Sequence, residues 1–163
     1  MPFRKIRNRE RALTEAEARE ILARADHGVL ATAGEDGWPY AVPLNHVLAG
    51  DALYLHCARM GHKLENIAFH DQVSYCAVAS VQVVPEELST LYESAIVFGR
   101  AALVEDADEK RRALKLLVER FCGAGEDTDK LFEESFARQG QGTAVIRIQI
   151  DHITGKAHRA ETK

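Results

Sequence analysis

Two short turns, Gly34-Glu35-Asp36-Gly37 and Ala49-Gly50-Asp51, separate β-prone runs that follow one another directly along the chain. Runs joined this tightly can pair only antiparallel, because a parallel pair needs a crossover of about a dozen residues or more. The runs are Val29–Ala33, Trp38–Val47 and Ala52–His56. Pro39 and Pro43 fall inside the second run, and neither can donate to a ladder, so that strand belongs at an edge or bends. Further on, Val73–Ala79 and Ser94–Val104 read as strands, with Gly99 a bulge or a point of close approach. Thr143–Ile150 is a β-branched final strand, and His152–Lys156 reads as a loop. Pro85-Glu86-Glu87-Leu88 interrupts the ladder region between the fourth and fifth runs.

Helices fill the spaces between these strands. Thr14-Glu15-Ala16-Glu17 is a capping box, and the helix behind it puts Ala18, Ile21, Leu22 and Ala25 on one face. Gly28 is placed to end it in a left-handed cap. Lys63–Phe69 forms a short helix with Leu64, Ile67 and Ala68 turned inward. Ala107–Phe121 is amphipathic, with Leu114, Leu117, Val118 and Phe121 on a shared face, and Gly123 and Gly125 stop it. Asp129–Arg138 is a shorter helix. The order predicts a mainly β fold with α additions, a small antiparallel barrel of about six strands. The 163 residues suit one domain, 1–163, whose residues 1–11 form a basic arm carrying Arg4, Lys5, Arg7, Arg9 and Arg11.

Several function classes are disfavoured. The net charge of −4 argues against a nucleic-acid partner. No run of about 18 apolar residues is present, which argues against a membrane helix. The first residues lack an apolar signal region, so a cytoplasmic protein is expected. Cys57, Cys76 and Cys122 are far apart and odd in number, which disfavours a disulfide framework or a zinc site. His56 and His62, like His152 and His158, are too widely spaced for a helical metal pair, so no metal is expected. Gly123-Ala124-Gly125 follows a helix and Gly140-Gln141-Gly142 precedes a strand, so neither fits a dinucleotide loop.

The segment Leu53–Ile67 carries more chemistry. It reads as a strand, a turn through Gly61, and a helix opened by His62-Lys63. Helix-leading amides lack intrahelical partners and the dipole favours an anion there. A cation at that end is mildly unfavourable by itself, and an anion held between Lys63 and the amides removes the conflict. The segment is therefore a candidate phosphate site.

Five stretches in order add to it: Trp38–Asn45, Leu53–Ala58, Gly61-His62-Lys63, Tyr92–Ala101 and Ile153–Lys156. The series resembles the flavin-binding split-barrel family related to pyridoxamine 5′-phosphate oxidase, from about Arg7 to about Ala160, and is most similar to its nitroimidazole-resistance (Nim-type) reductase branch. The resemblance implies a six-stranded split β-barrel, a homodimer, and FMN in clefts between the subunits. By position it puts His62 and Lys63, with Leu64 behind them, at the FMN phosphate. It puts His56, Cys57 and Ala58 along the ribityl-phosphate path and Pro43, Leu44 and Asn45 at the flavin ring. Ser94 falls near the flavin of the other subunit, and Thr154 and Lys156 in a C-terminal loop beside the cleft. The implied activity is FMN-dependent reduction of a small organic acceptor, with His56 the candidate proton-transfer residue. Haem or a deazaflavin, or flavin bound without turnover, are the alternatives, with His46, His56 or His62 as haem ligands. The ending Gly155-Lys156-Ala157-His158-Arg159-Ala160 lacks the oxidases' Arg-x-His clamp, which argues against vitamin B6 oxidation.

Overall fold

The computed structural model of the protein describes residues 3–160. Met1 and Pro2 of the basic arm, and the last residues of the expected domain (161–163), lie outside the described part. Thr14 caps α1 (Glu15–Arg24) as its sequence predicts. Its hydroxyl accepts from the Glu17 amide at 3.3 Å, and the Thr14 amide donates to the Glu17 carboxylate at 2.8 Å. The helix ends at Ala25, and Gly28 belongs to the following strand rather than to a cap. The reason is packing. A Cβ at Gly28 would lie 2.5 Å from the Tyr75 ring and 2.6 Å from the Cys76 carbonyl oxygen.

The strands are β1 (Ala12–Leu13), β2 (His27–Ala33), β3 (Pro39–Asn45), β4 (Val47–Ala49), β5 (Ala52–Ala58), β6 (Gln72–Val84), β7 (Ser89–Leu103) and β8 (Thr143–His158). They form one antiparallel sheet in the order β3-β2-β6-β7-β8-β5-β4, with β1 paired to β8. The sheet curls until β3 and β5 approach each other without pairing. The count is eight rather than six. The additional strands are short: β4, separated from β3 where His46 turns into the core, and β1, laid on β8 just ahead of α1. The proline-bearing β3 is an edge, as its two missing amides require.

Other boundaries moved. The segment His152–Lys156 is not a loop. It continues β8 and pairs with β7, while Lys156 and Gly155 also pair with β1. Gly155 is needed there because a Cβ would come within 2.9 Å of the Ala18 Cβ on α1. Both β6 and β7 are longer than expected, forming a projecting hairpin that turns at the short 3-10 helix Pro85–Glu87. The expected irregularity at Gly99 is present as a register shift beside Phe98, where the Gln149 carbonyl approaches too closely for a side chain.

The core is the inner face of the sheet, closed by α1 and by α2 (His62–Phe69). Ile21 and Leu22 of α1, Leu30, Leu53, Leu55, Val97, Ile146 and Ile148 are fully buried. Ala68, expected to point inward, is exposed, while Leu64 and Ile67 do face the core. Helices α3 (Ala107–Cys122) and α4 (Glu126–Gln139) lie at one end of the sheet, where α3 packs against β4, β5 and the first half of β8. Tyr54 of β5 donates to the Glu109 carboxylate at 2.9 Å, and Arg147 reaches the same oxygen at 3.2 Å.

A buried polar cluster pins β3 to this core. The His46 Nε2 lies 2.8 Å from the Leu22 carbonyl, which can only accept, so Nε2 carries the proton. In the neutral ring Nδ1 is then an acceptor. The Tyr75 hydroxyl lies 2.9 Å from it and 2.7 Å from the Leu44 carbonyl. Burial holds His46 below its ordinary value of 6.5, helped by the charges of Arg120 and His27 and opposed by the Leu22 contact. The unfolded chain therefore takes up a proton at a pH where the folded chain does not, and stability falls as pH drops below about 6.5. Thermal unfolding is expected to show a flat midpoint above pH ~7 and a decline below it of up to about 1.4 kcal/mol per pH unit. His46→Phe should remove that slope, which thermal scans across the pH series would show.

Candidate functional site

At the split between β3 and β5 the chain leaves β5 through exposed Arg59 and Met60 and reaches Gly61. There φ is 129°, a value that suits glycine. Gly61 caps α2 without a side chain, and its carbonyl accepts the amides of Leu64 at 2.9 Å and Glu65 at 3.3 Å. The amides of His62 and Lys63 are left at the positive end of the helix. Tyr40 of β3 lays its ring against His62, with centroids 4.2 Å apart and planes tilted by 36°. Lys63 is half-buried beside the Cys57 thiol. Burial pushes that thiol up, and the Lys63 charge opposes the shift only in part, so the thiol stays protonated at neutral pH. The result is a donor-rich notch of one ammonium, one imidazole and two free-ended amides, suited to a phosphate dianion.

The other expected site residues fall in three places. Pro43, Asn45, Ser94, Thr154 and Lys156 share the outer face of the sheet. Pro43, Val29, Cys76, Ile96 and Thr154 are register partners across neighbouring strands and form one row of it. Neither α3 nor α4 reaches this region, and Val29, Val78 and Ile96 remain 39 %, 49 % and 38 % exposed. Lys156 sits over the Tyr92 ring at 5.6 Å, and the Ser94 hydroxyl donates to the Lys156 carbonyl at 3.3 Å. The Asn45 amide donates to the Asp26 carbonyl at 2.9 Å, a bond that ties β3 to the start of β2. Leu44, Cys57 and Leu64 point inward and pack with the core, so what they offer a ligand is backbone. His56 occupies the outer side of β5, exposed beside α3 and α4, and Ala58 is exposed at the strand end opposite Thr143. His46 is fully buried with both ring nitrogens engaged, which removes it as a haem ligand.

Two features lie outside the residues singled out from sequence. Tyr40 touches His62; alternation along β3 puts it on the same side as Val42 and Leu44, but nothing local in the sequence marks its approach to His62. The apolar outer face of Val29, Cys76, Val78 and Ile96 comes from three separate strands, and no single stretch of sequence shows it.

A family model for pyridoxamine 5′-phosphate oxidase matches residues 14–157. The chain belongs to this family. Among solved structures, this family member is similar to a candidate 5-nitroimidazole antibiotic resistance protein from Bacteroides thetaiotaomicron. The two are 25 % identical over 89 % of this chain and 85 % of that one, with a TM-score of 0.72. It shares its fold with a FAD and heme binding protein from Mycobacterium smegmatis, at 22 % identity, TM-score 0.74, and 92 % and 74 % coverage. It also shares it with a flavocytochrome from Azotobacter vinelandii, at 18 % identity, TM-score 0.77, and 96 % and 73 % coverage. No curated protein matches it. Among the described residues no helix is long and apolar enough to cross a membrane.

Proposed function

We propose that this oxidase-family protein binds FMN between two copies of the chain and uses it to reduce a small organic acceptor of the nitroaromatic kind. The observation that carries the reading is the notch at the split of the barrel. There Lys63, His62 and the leading amides of α2 converge beside Tyr40 in a chain of this family. These residues fit a phosphate by charge and donor set. Bound FMN supplies the redox chemistry. The chain's own part is to neutralise the phosphate through Lys63, to keep water from the ring with apolar side chains, and to leave an acceptor room. The uncovered outer face around Val29, Val78 and Ile96 supports a self-partner, since it carries apolar surface that a lone chain leaves in water. Ser94, Thr154 and Lys156 stand on that face, where a second copy would meet them.

Purified protein is expected to be yellow with flavin bands, to quench FMN fluorescence on titration, and to sediment as a dimer. Ile96→Asp, which buries a charge in the proposed contact, should give a monomer that retains FMN poorly. A colourless protein that leaves FMN fluorescence unchanged would sink the reading. A Soret band on haem titration, with no flavin response, would favour haem instead, the group named for the Mycobacterium smegmatis relative.

A further inference from the structure

The outer side of β5 carries a second cavity, apart from the notch at Lys63. Helices α3 and α4 flank it, it opens to solvent past the exposed His56, Phe121 and Gln139, and its volume is about 290 Å³. Leu114, Leu117, Val118 and Phe121 of α3 and Phe132 and Phe136 of α4 form its walls. The two phenylalanine rings of α4 stand 5.5 Å apart and are held from behind by the Arg111 guanidinium, which lies 5.2 Å and 4.8 Å from their centroids. Arg111 is in turn anchored by an ion pair with Glu133. The walls are thus fixed from outside the cavity.

The polar groups that meet the cavity are the His56 imidazole on its sheet side, the Ser135 hydroxyl and Gln139 carboxamide on its α4 side, and the Cys122 thiol at the end of α3. The side chains of His56, Ser135 and Gln139 make no hydrogen bond among the described residues, whereas the neighbouring Thr143 hydroxyl is already spent on the Gln139 carbonyl at 3.1 Å. No Asp, Glu, Lys or Arg lines the space, although these types make up 28 % of the chain. A charged ligand would enter with nothing to pair it, and burying an unpaired charge is costly. A neutral aromatic molecule meets aromatic and branched aliphatic walls on its faces and one imidazole at its edge. The size agrees, since a dry apolar cavity of about 150 Å³ already takes benzene.

We propose that this cavity is a binding site for a small, uncharged aromatic molecule carrying one hydrogen-bonding edge, anchored by His56. The site is separate from the phosphate notch and does not depend on flavin being bound. It also gives His56 a role that its place at the mouth of this groove, beside α3 and α4, supports: holding a ligand rather than moving a proton at the notch.

Indole, benzene and benzoate are the probes, titrated into the protein both without FMN and with it, and followed by calorimetry and by chemical shifts of the α3 and α4 methyl and aromatic groups. Indole should saturate and shift Leu117, Val118 and Phe132. Benzoate, of similar size but charged, should not. His56→Leu should weaken indole by about tenfold, the worth of one hydrogen bond, and leave benzene binding intact. Val118→Phe should fill the space and abolish both. If that variant fails to fold, His56→Leu still decides the matter. Absence of saturable indole binding, equal binding of benzoate, unchanged indole affinity in His56→Leu, or displacement of indole by FMN would each overturn the proposal. Loss of FMN binding with indole binding intact would count against the flavin reading alone.

Discussion

Lys63→Glu is expected to weaken FMN binding roughly a hundredfold or more while leaving the folded protein as stable as before. The two effects separate because the site is a helix start. A cation in the first turn opposes the helix dipole, and a glutamate there favours it by about 0.3–1 kcal/mol. Lys63 is half-buried but makes no ion pair among the described residues, so no partner is orphaned by the change. For a phosphate the reversal is severe, since an attraction across a few ångströms becomes a repulsion. FMN fluorescence titration and thermal unfolding of the same preparation check both halves. An unaltered FMN affinity would mean that the phosphate lies elsewhere. A collapsed unfolding midpoint would mean that Lys63 supports the fold.

Tyr75→Ala is expected to lower stability by about 3–5 kcal/mol, among the largest losses any single side chain here can cause. The ring is fully buried, fills the space left by the missing side chain at Gly28, and carries the hydroxyl that joins β3 to His46. Burial also pushes its phenol well above the ordinary value, so it is a neutral donor at every physiological pH. Tyr75→Phe keeps the ring and removes only the hydroxyl, whose single proton goes to the Leu44 carbonyl and whose oxygen lies 2.9 Å from His46 Nδ1. A loss of about 1–3 kcal/mol follows. In a chain of this size those figures correspond to midpoint shifts of roughly 2–4 °C per kcal/mol. Equal losses in the two variants would show that the hydroxyl, not the ring, is what the core depends on.

What was legible in the sequence was local. The Thr14–Glu17 box, the turn at Gly50 and the helix opened by His62-Lys63 are each decided by residues within a few positions of one another, and each is where it was expected. The proline edge strand was legible because a missing amide admits few other places. The errors share a cause. Gly28 read as a helix stop and Gly155 as part of a loop, but both are glycine because another element presses against them, the Tyr75 ring in one case and Ala18 of α1 in the other. Such a contact has no local signature. The site shows the same division. The helix start was readable, whereas the approach of Tyr40 to His62 depends on the sheet curling shut. Alternation along β5 sets His56 opposite Leu55, but nothing near residue 56 announces that α3 and α4, far along the chain, pack beside it on that side.

The irregularity in β6 also extends the outer face. Register shifts by one residue between Val78 and Ser80, with Ala79 tucked against the core. Val81 and Val83, at odd positions, thereby stand opposite Tyr92 and Thr90, on the same side as Val78 and Ser94. A regular strand would have turned them inward.

The two prolines of β3 have a consequence beyond that strand. An open sheet invites polymerisation, because its outermost strands present unpaired amides and carbonyls to any passing chain. Here one margin has lost donors at Pro39 and Pro43, and the other ends in a strand of three residues. Neither is a good template for a further strand. A chain built this way resists growing sideways through its sheet margins into fibrils.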